Sequence, residues 1–187
     1  MEVIGTDITP IQPSWVPPNV SFQIDDANLE WTFPDNTFDF IYVRFLLGCI
    51  VDWNAFYKQA FRCTKPGGWF EQTEVQLKYI SDVKPIPPDS PLGRLEAIFA
   101  EAGQKSGRSF TLYQDDLQRK GMESAGFTDI QVRNIKVPFG NWPKDELQKE
   151  LGIITKAAFM EDLDGKHFPF LSVPRTKTCI TTYASCT

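Results

Sequence analysis

The sequence predicts an α/β fold built around a parallel sheet, and three observations carry that expectation. "FDFIYVRFLL" (38–47) is a near-continuous apolar run of β-branched and aromatic residues, the pattern of a strand buried on both faces. A helical pattern follows it, then "KPGG", then the strand-like "WFEQTEV". That is a strand–helix–strand unit, whose crossover has an almost fixed hand. Strand-like and helix-like stretches also alternate along the rest of the 187 residues.

In chain order, "VIGTD" reads as a short strand running into Asp7. "PIQPSWVPPN" cannot be a helix interior, because proline lacks the amide hydrogen and clashes with the preceding turn. It is expected to be an extended loop with Trp15 packed against the domain. "VSFQID" alternates apolar and polar residues at period two and reads as a second strand, ending at Asp25–Asp26–Ala27. "FPDNTFDF" is a turn into the apolar run. Asp52 is a suitable N-cap for a helix over 53–64, with Phe56, Tyr57, Ala60 and Phe61 on one face. Pro66 and the two glycines after it end that segment.

Ser90 followed by Pro91 starts another helix, whose stripe is Leu92, Leu95, Ile98, Phe99 and Ala102 and whose end is expected near Gly103. A further helix is expected from Tyr113 to Ala125, closed by Gly126. "FTDIQVRNIKVPFG" reads as a long strand. Its apolar phase switches from Ile130 and Val132 to Ile135 and Val137, which predicts a bulge near Arg133–Asn134. Asp145 begins a last helix with Leu147, Leu151, Ile154 and Ala158 as its stripe. After Gly165 no period is evident, and the Thr-rich end is expected to supply at most one edge strand. The domain is therefore read as 1–165, with a helical insertion at about 80–110 and an irregular tail over 166–187.

Composition narrows the function classes. Hydrophobic residues make up 42% of the chain, enough for one real core and too many for a disordered segment. The net charge of −5 argues against nucleic acid or an anionic membrane as the main partner. No apolar run approaches the roughly 20 residues that span a bilayer. The N-terminus has no secretory pattern, so the expected location is the cytoplasm, with the nucleus as an alternative. The four scattered cysteines then read as thiols. There is no CxxC or HExxH pattern and only one histidine, His167, so no metal site is expected. A Ser-His-Asp hydrolase would need His167, which lies in the patternless tail.

Three stretches together, "VIGTDITPIQPSWVPPNV", "IDDANLEWTFPDNTFDFIYVR" and "AFRCTKPGGWFEQTE", resemble the LaeA-like methyltransferases of filamentous fungi. The resemblance runs from Val3 to Asp162 and includes "AGFTDIQV" and "KVPFGNWPKD". It implies a class I, Rossmann-like sheet with flanking helices, S-adenosylmethionine (SAM) as cofactor and a small-molecule substrate in fungal secondary metabolism. It also implies that Asp7 accepts from the ribose hydroxyls and Ile8 lies on the adenine face. Asp26 would accept from the adenine amine, the Ala27 N–H would face a ring nitrogen, and Arg44 would border the methionine half. Read from spacing alone, Asp7 and Asp26 are equally turn formers, and Arg44 a surface ion-pair partner. No catalytic residue is identified.

The family pattern has a strand, a glycine-rich loop and a helix ahead of "VIGTD". The sheet is accordingly expected to be truncated, without its first strand and glycine loop, and SAM binding weakened or lost. The "VIGTD" and "FDFIYVR" strands are expected to close up and pair directly, or that half to stay loose. A segment of the tail, a protein partner or a second copy of the chain are the other ways to fill the gap. The alternative function is a methyltransferase-derived protein without methyl transfer, either a partner-binding relic or a cofactor-independent enzyme such as a cyclase.

Overall fold

The computed structural model describes residues 1–162 and 178–185. Among the described residues the elements are, in order, β1 (Val3–Asp7), β2 (Val20–Ile24), β3 (Phe38–Arg44), α1 (Trp53–Cys63), β4 (Thr64–Gln76), α2 (Pro91–Ser106), α3 (Leu117–Ala125), β5 (Thr128–Lys136), α4 (Glu146–Asp162) and β6 (Thr178–Ser185). The α/β expectation holds, and the β3–α1–β4 unit is parallel as the sequence predicts.

The strands form two sheets. β1 and β2 pair in parallel, and the larger sheet has the order β3–β4–β6–β5. β6 is antiparallel to both its neighbours. The expected direct pairing of β1 with β3 does not occur: each uses only its other edge. The Thr-rich end also departs from expectation, because Thr178–Ser185 is an interior strand and not an edge. An apolar run is needed where parallel strands are covered on both faces. An antiparallel strand needs only partners for its amides and carbonyls, and β-branched Thr178, Ile180, Thr181 and Thr182 suit it.

Local chemistry sets most boundaries. Asp52 caps α1 by accepting from the Ala55 N–H at 3.0 Å. Ser90 caps α2 by accepting from Gly93, and Gly107 in the left-handed region ends it three residues beyond the expected stop. α3 starts at Leu117 and not Tyr113, because Asp116 takes φ 54°, which no helix continues through. The β5 bulge lies between Thr128 and Gln131, where Asp129 has φ 51°, and not at Arg133–Asn134. Ile130 packs against the main core, but Val132 and Ile135 are exposed, so the apolar phase along β5 does not mark one core face.

The main core lies between β3–β4 and helices α1 and α3. Trp53, Phe56 and Tyr57 of α1 meet Phe70 of β4, Met122 of α3 and Phe127. Their rings meet mostly edge-to-face at 5–6 Å, an arrangement that adds to the gain from burial. Gly121 brings α3 close, since a Cβ there would overlap the Tyr57 ring. A second cluster, Leu77, Leu95 and Phe99, seats α2. Arg62 fastens the 31–35 turn to α1, donating to the carbonyls of Phe33 (2.8 Å) and Trp31 (3.0 Å) and to Asp35 Oδ1 (2.8 Å).

Three apolar expectations are corrected. Trp15 is 80% exposed and packs on no core. β3 is covered on one face only: Val43 is buried, while Phe40 and Tyr42 stack on the open face at 53% and 49% exposure. In α4 the expected stripe residues Leu147, Leu151 and Ile154 are exposed. Gly152 and Thr155 are the buried positions, and the Gly152 carbonyl accepts from the Gly140 N–H at 2.9 Å.

Candidate functional site

Asp7 is the last residue of β1, and Asp26 lies two residues past β2. The parallel register brings these ends together, and the Asp25 N–H donates to the Asp7 carbonyl at 3.1 Å. Each carboxylate uses one oxygen to shape its own turn. Asp7 Oδ1 accepts from the Thr9 N–H at 2.9 Å. Asp26 Oδ1 accepts from the N–H and the side-chain amide of Asn28 at 2.9 and 3.0 Å. Among the described residues nothing bonds either Oδ2. The Asn28 backbone donor, its side-chain donor and the charge of Arg108 hold the Asp26 carboxyl below its ordinary range. Ile8 is exposed beside Asp7, and Ala27 is half-buried against the main core.

Asn28 joins this end of the small sheet to the large one. Its Nδ2 donates to the Cys49 carbonyl at 3.1 Å, and its Oδ1 accepts from the Val51 N–H at 2.9 Å. Gly48, with φ 74°, admits the Phe110 ring against its Cα, and the Gly48 carbonyl accepts from Arg108 at 3.2 Å. The segment that follows α2 therefore reaches the same rim.

Arg44 ends β3, with its guanidinium 5.2 Å from the centre of the Phe45 ring. Phe45 has φ 59°, a costly conformation for a bulky side chain. Glu74 of β4 holds the turn. Its Oε1 accepts from the Leu46 N–H at 3.0 Å and its Oε2 from the Leu47 N–H at 3.1 Å. Gln72 Nε2 also donates to Glu74 Oε1 at 3.2 Å, and Tyr57 donates to Gln72 Oε1 at 2.6 Å. Glu74 is 1% exposed. Burial raises its acid to about 7, and the donors from Leu46, Gln72 and Leu47 oppose that rise. Sequence reasoning did not single out Glu74. The only signal is that Gln72, Glu74 and Gln76 share the period-two face of Phe70, and "WFEQTEV" read simply as a strand.

Asp7, Ile8, Asp26 and Ala27 thus share neighbouring strand ends. Arg44 stands at the end of β3, an outer strand of the other sheet, and the Asn28 bonds reach Cys49 and Val51 beyond it rather than Arg44 itself. Acceptors at the ends of parallel strands suit a ligand rich in hydroxyls and amines. Among the described residues no group of His, Cys, Asp and Glu could hold a metal ion. No described helix is long and apolar enough to cross a membrane.

A profile described as "Methyltransferase domain" matches residues 1–132. The chain belongs to that methyltransferase family. "Methyltransferase pytC" of Aspergillus terreus is 37% identical over 163 residues, 87% of this chain and 49% of the relative. "Secondary metabolism regulator LAE1" of Cochliobolus heterostrophus is 33% identical over 169 residues, 89% of this chain and 54% of the relative. The resemblance to LaeA-like fungal methyltransferases is borne out, and the chain spans about half the length of the curated relatives it matches. A solved S-adenosylmethionine-dependent methyltransferase from Mesorhizobium loti superimposes with a TM-score of 0.53 at 16% identity, over 98% of this chain and 80% of that one. The fold of this methyltransferase chain is thus the class I, Rossmann-like one.

Proposed function

We propose that the chain is the adenosine-binding and acceptor-facing part of a SAM-dependent methyltransferase acting on a small molecule of fungal secondary metabolism. The observation that carries this reading is the pair Asp7 and Asp26 at adjacent parallel strand ends, each with one carboxylate oxygen left for a ligand. Asp7 accepts from the ribose hydroxyls with Ile8 against the adenine face. Asp26 accepts from the adenine amine, with the Ala27 N–H toward the ring. These residues fit the adenosine half of the cofactor. Arg44 and the Glu74-held turn border its methionine half. When bound, the cofactor would supply an electrophilic sulfonium methyl to a lone pair of the acceptor, with the neutral thioether as the leaving group in line with the new bond. The protein's part is positioning, which can supply much of the rate gain for such a displacement.

Calorimetric titration with S-adenosylhomocysteine tests the reading. Asp7→Ala and Asp26→Ala each lose a charge-assisted hydrogen bond and are expected to weaken binding by about 1.5–3 kcal/mol. Affinity unchanged by both substitutions overturns it. The open apolar face of Phe40 and Tyr42 favours the second reading, a methyltransferase-derived protein that binds a partner without methyl transfer. In that case the chain takes up no S-adenosylhomocysteine at millimolar concentration, and Phe40→Ser abolishes partner binding.

A further inference from the structure

A cavity of about 770 Å³ opens beyond the C-terminal ends of β4 and β5. Gln76 and Lys136, the last residues of those strands, both pair with Thr178, so the two ends lie at one rim of the sheet. One wall is the 78–86 segment that follows β4, and the other is the 136–145 segment that follows β5. The walls are joined twice. Tyr79 and Phe139 meet edge-to-face at 6.0 Å, and Lys136 Nζ donates to Asp82 Oδ1 at 2.9 Å. The volume lies in the range of sites for drug-sized molecules.

The lining is mainly apolar, with its ionic pair exposed. Lys136 and Asp82 keep most of their surface in water and satisfy one another. Trp142 at 71% exposure and Val83 at 94% present bare apolar surface from opposite walls. An indole and an aliphatic side chain lining one cavity of this size suit a flat apolar guest, which would remove both from water. Tyr79 also belongs to the Leu77–Leu95–Phe99 cluster, which includes Leu47. One apolar cluster therefore touches both the cavity, through Tyr79, and the turn that Glu74 holds, through Leu47.

We propose that this cavity is the acceptor site and takes an apolar, aromatic-bearing small molecule between Trp142 and the Tyr79–Phe139 pair. Its role as acceptor site rests on the methyl-transfer reading; its ability to bind such a molecule does not.

2-Naphthol is a suitable probe, titrated calorimetrically into the chain and into Trp142→Ala and Val83→Asp. Both positions are on the surface, and near-ultraviolet circular dichroism checks that each variant is folded. Saturable binding to the unaltered chain, weakened roughly tenfold or more by each variant, is expected. Absence of saturable binding, or the same affinity in both variants, overturns the proposal. S-Adenosylhomocysteine is titrated into the same samples, and its affinity should not change in Trp142→Ala. If 2-naphthol binds through Trp142 while S-adenosylhomocysteine does not bind, the cavity stands as a small-molecule site and its acceptor role fails with the methyl-transfer reading. If S-adenosylhomocysteine binds through Asp7 and 2-naphthol does not bind, only the cavity assignment fails.

Discussion

A buried carboxylate costs free energy unless donors meet it, and Glu74 meets three. Burial still prevails, and the acid sits at about 7, above its ordinary 4.5. Between those values the folded protein holds a proton that the unfolded chain releases. Glu74 thus favours the fold fully below pH ~4.5, and that contribution fades as pH rises through about 7. A displacement of that size corresponds to about 3 kcal/mol. Urea unfolding at pH 5 and pH 7.5 should show this decline in the unaltered chain and its absence in Glu74→Gln. Equal pH slopes in the two proteins would show that Glu74 does not titrate in this window. The residue was hidden in sequence because a Glu inside "EQTEV" is ordinary for a strand with one wet face. Only the pairing of β4 on both edges makes that position interior. Asp7 and Asp26 were legible, since a carboxylate just past a strand is a local feature. Their turn-forming bonds to Thr9 and Asn28 are compatible with both the bland and the functional reading.

Caps with a strong residue signature could be read from the sequence, whereas the Gly107 end of α2, the Asp116 start of α3 and the place of β6 could not. The caps at Asp52, Ser90 and Gly126 stand where the sequence put them. β6 was expected at most as an edge strand because its only signature is a few β-branched residues, and its interior place depends on pairing with β4 and β5. Hydrogen exchange checks that place. The amides of Thr178–Ser185 that bond to β4 and β5 are expected to be about as slow as those of Phe70–Thr73, whereas an edge strand would exchange much faster on its open side. Gly121 tests the α3–α1 contact. On helix propensity alone alanine would gain about 1 kcal/mol there. Its Cβ, however, would meet the fully buried Tyr57 ring, whose hydroxyl is anchored on Gln72. Overpacking of that kind costs about 1–3 kcal/mol, so Gly121→Ala should be net destabilising by about 1 kcal/mol in a denaturant titration. A stabilised variant would mean that the ring yields.

Across the whole molecule, stability and the candidate cofactor site lie in different places. The aromatic core is on one face of the larger sheet, while β1 and β2 are mostly exposed and joined to it by the Asn28 bonds. A segment with few buried apolar contacts opens at lower free energy than the core. The amides of Ile4–Asp7 should therefore exchange before those of Ile41–Val43. If Asp7 and Asp26 hold an adenosine moiety, ligand binding must close that gap, because opening the small sheet would release the ligand. At S-adenosylhomocysteine one hundred times above its dissociation constant, the opening free energy of β1 should rise by up to about 2.7 kcal/mol. Ile41–Val43 should slow by the same increment only if they exchange through an opening that also releases the ligand. Asp7→Ala, at the same ligand concentration, should show a smaller increment in β1. Protection of β1 that is unchanged by ligand would separate the small sheet from cofactor binding. Equal exchange of β1 and β3 without ligand would show that the two sheets open as one unit.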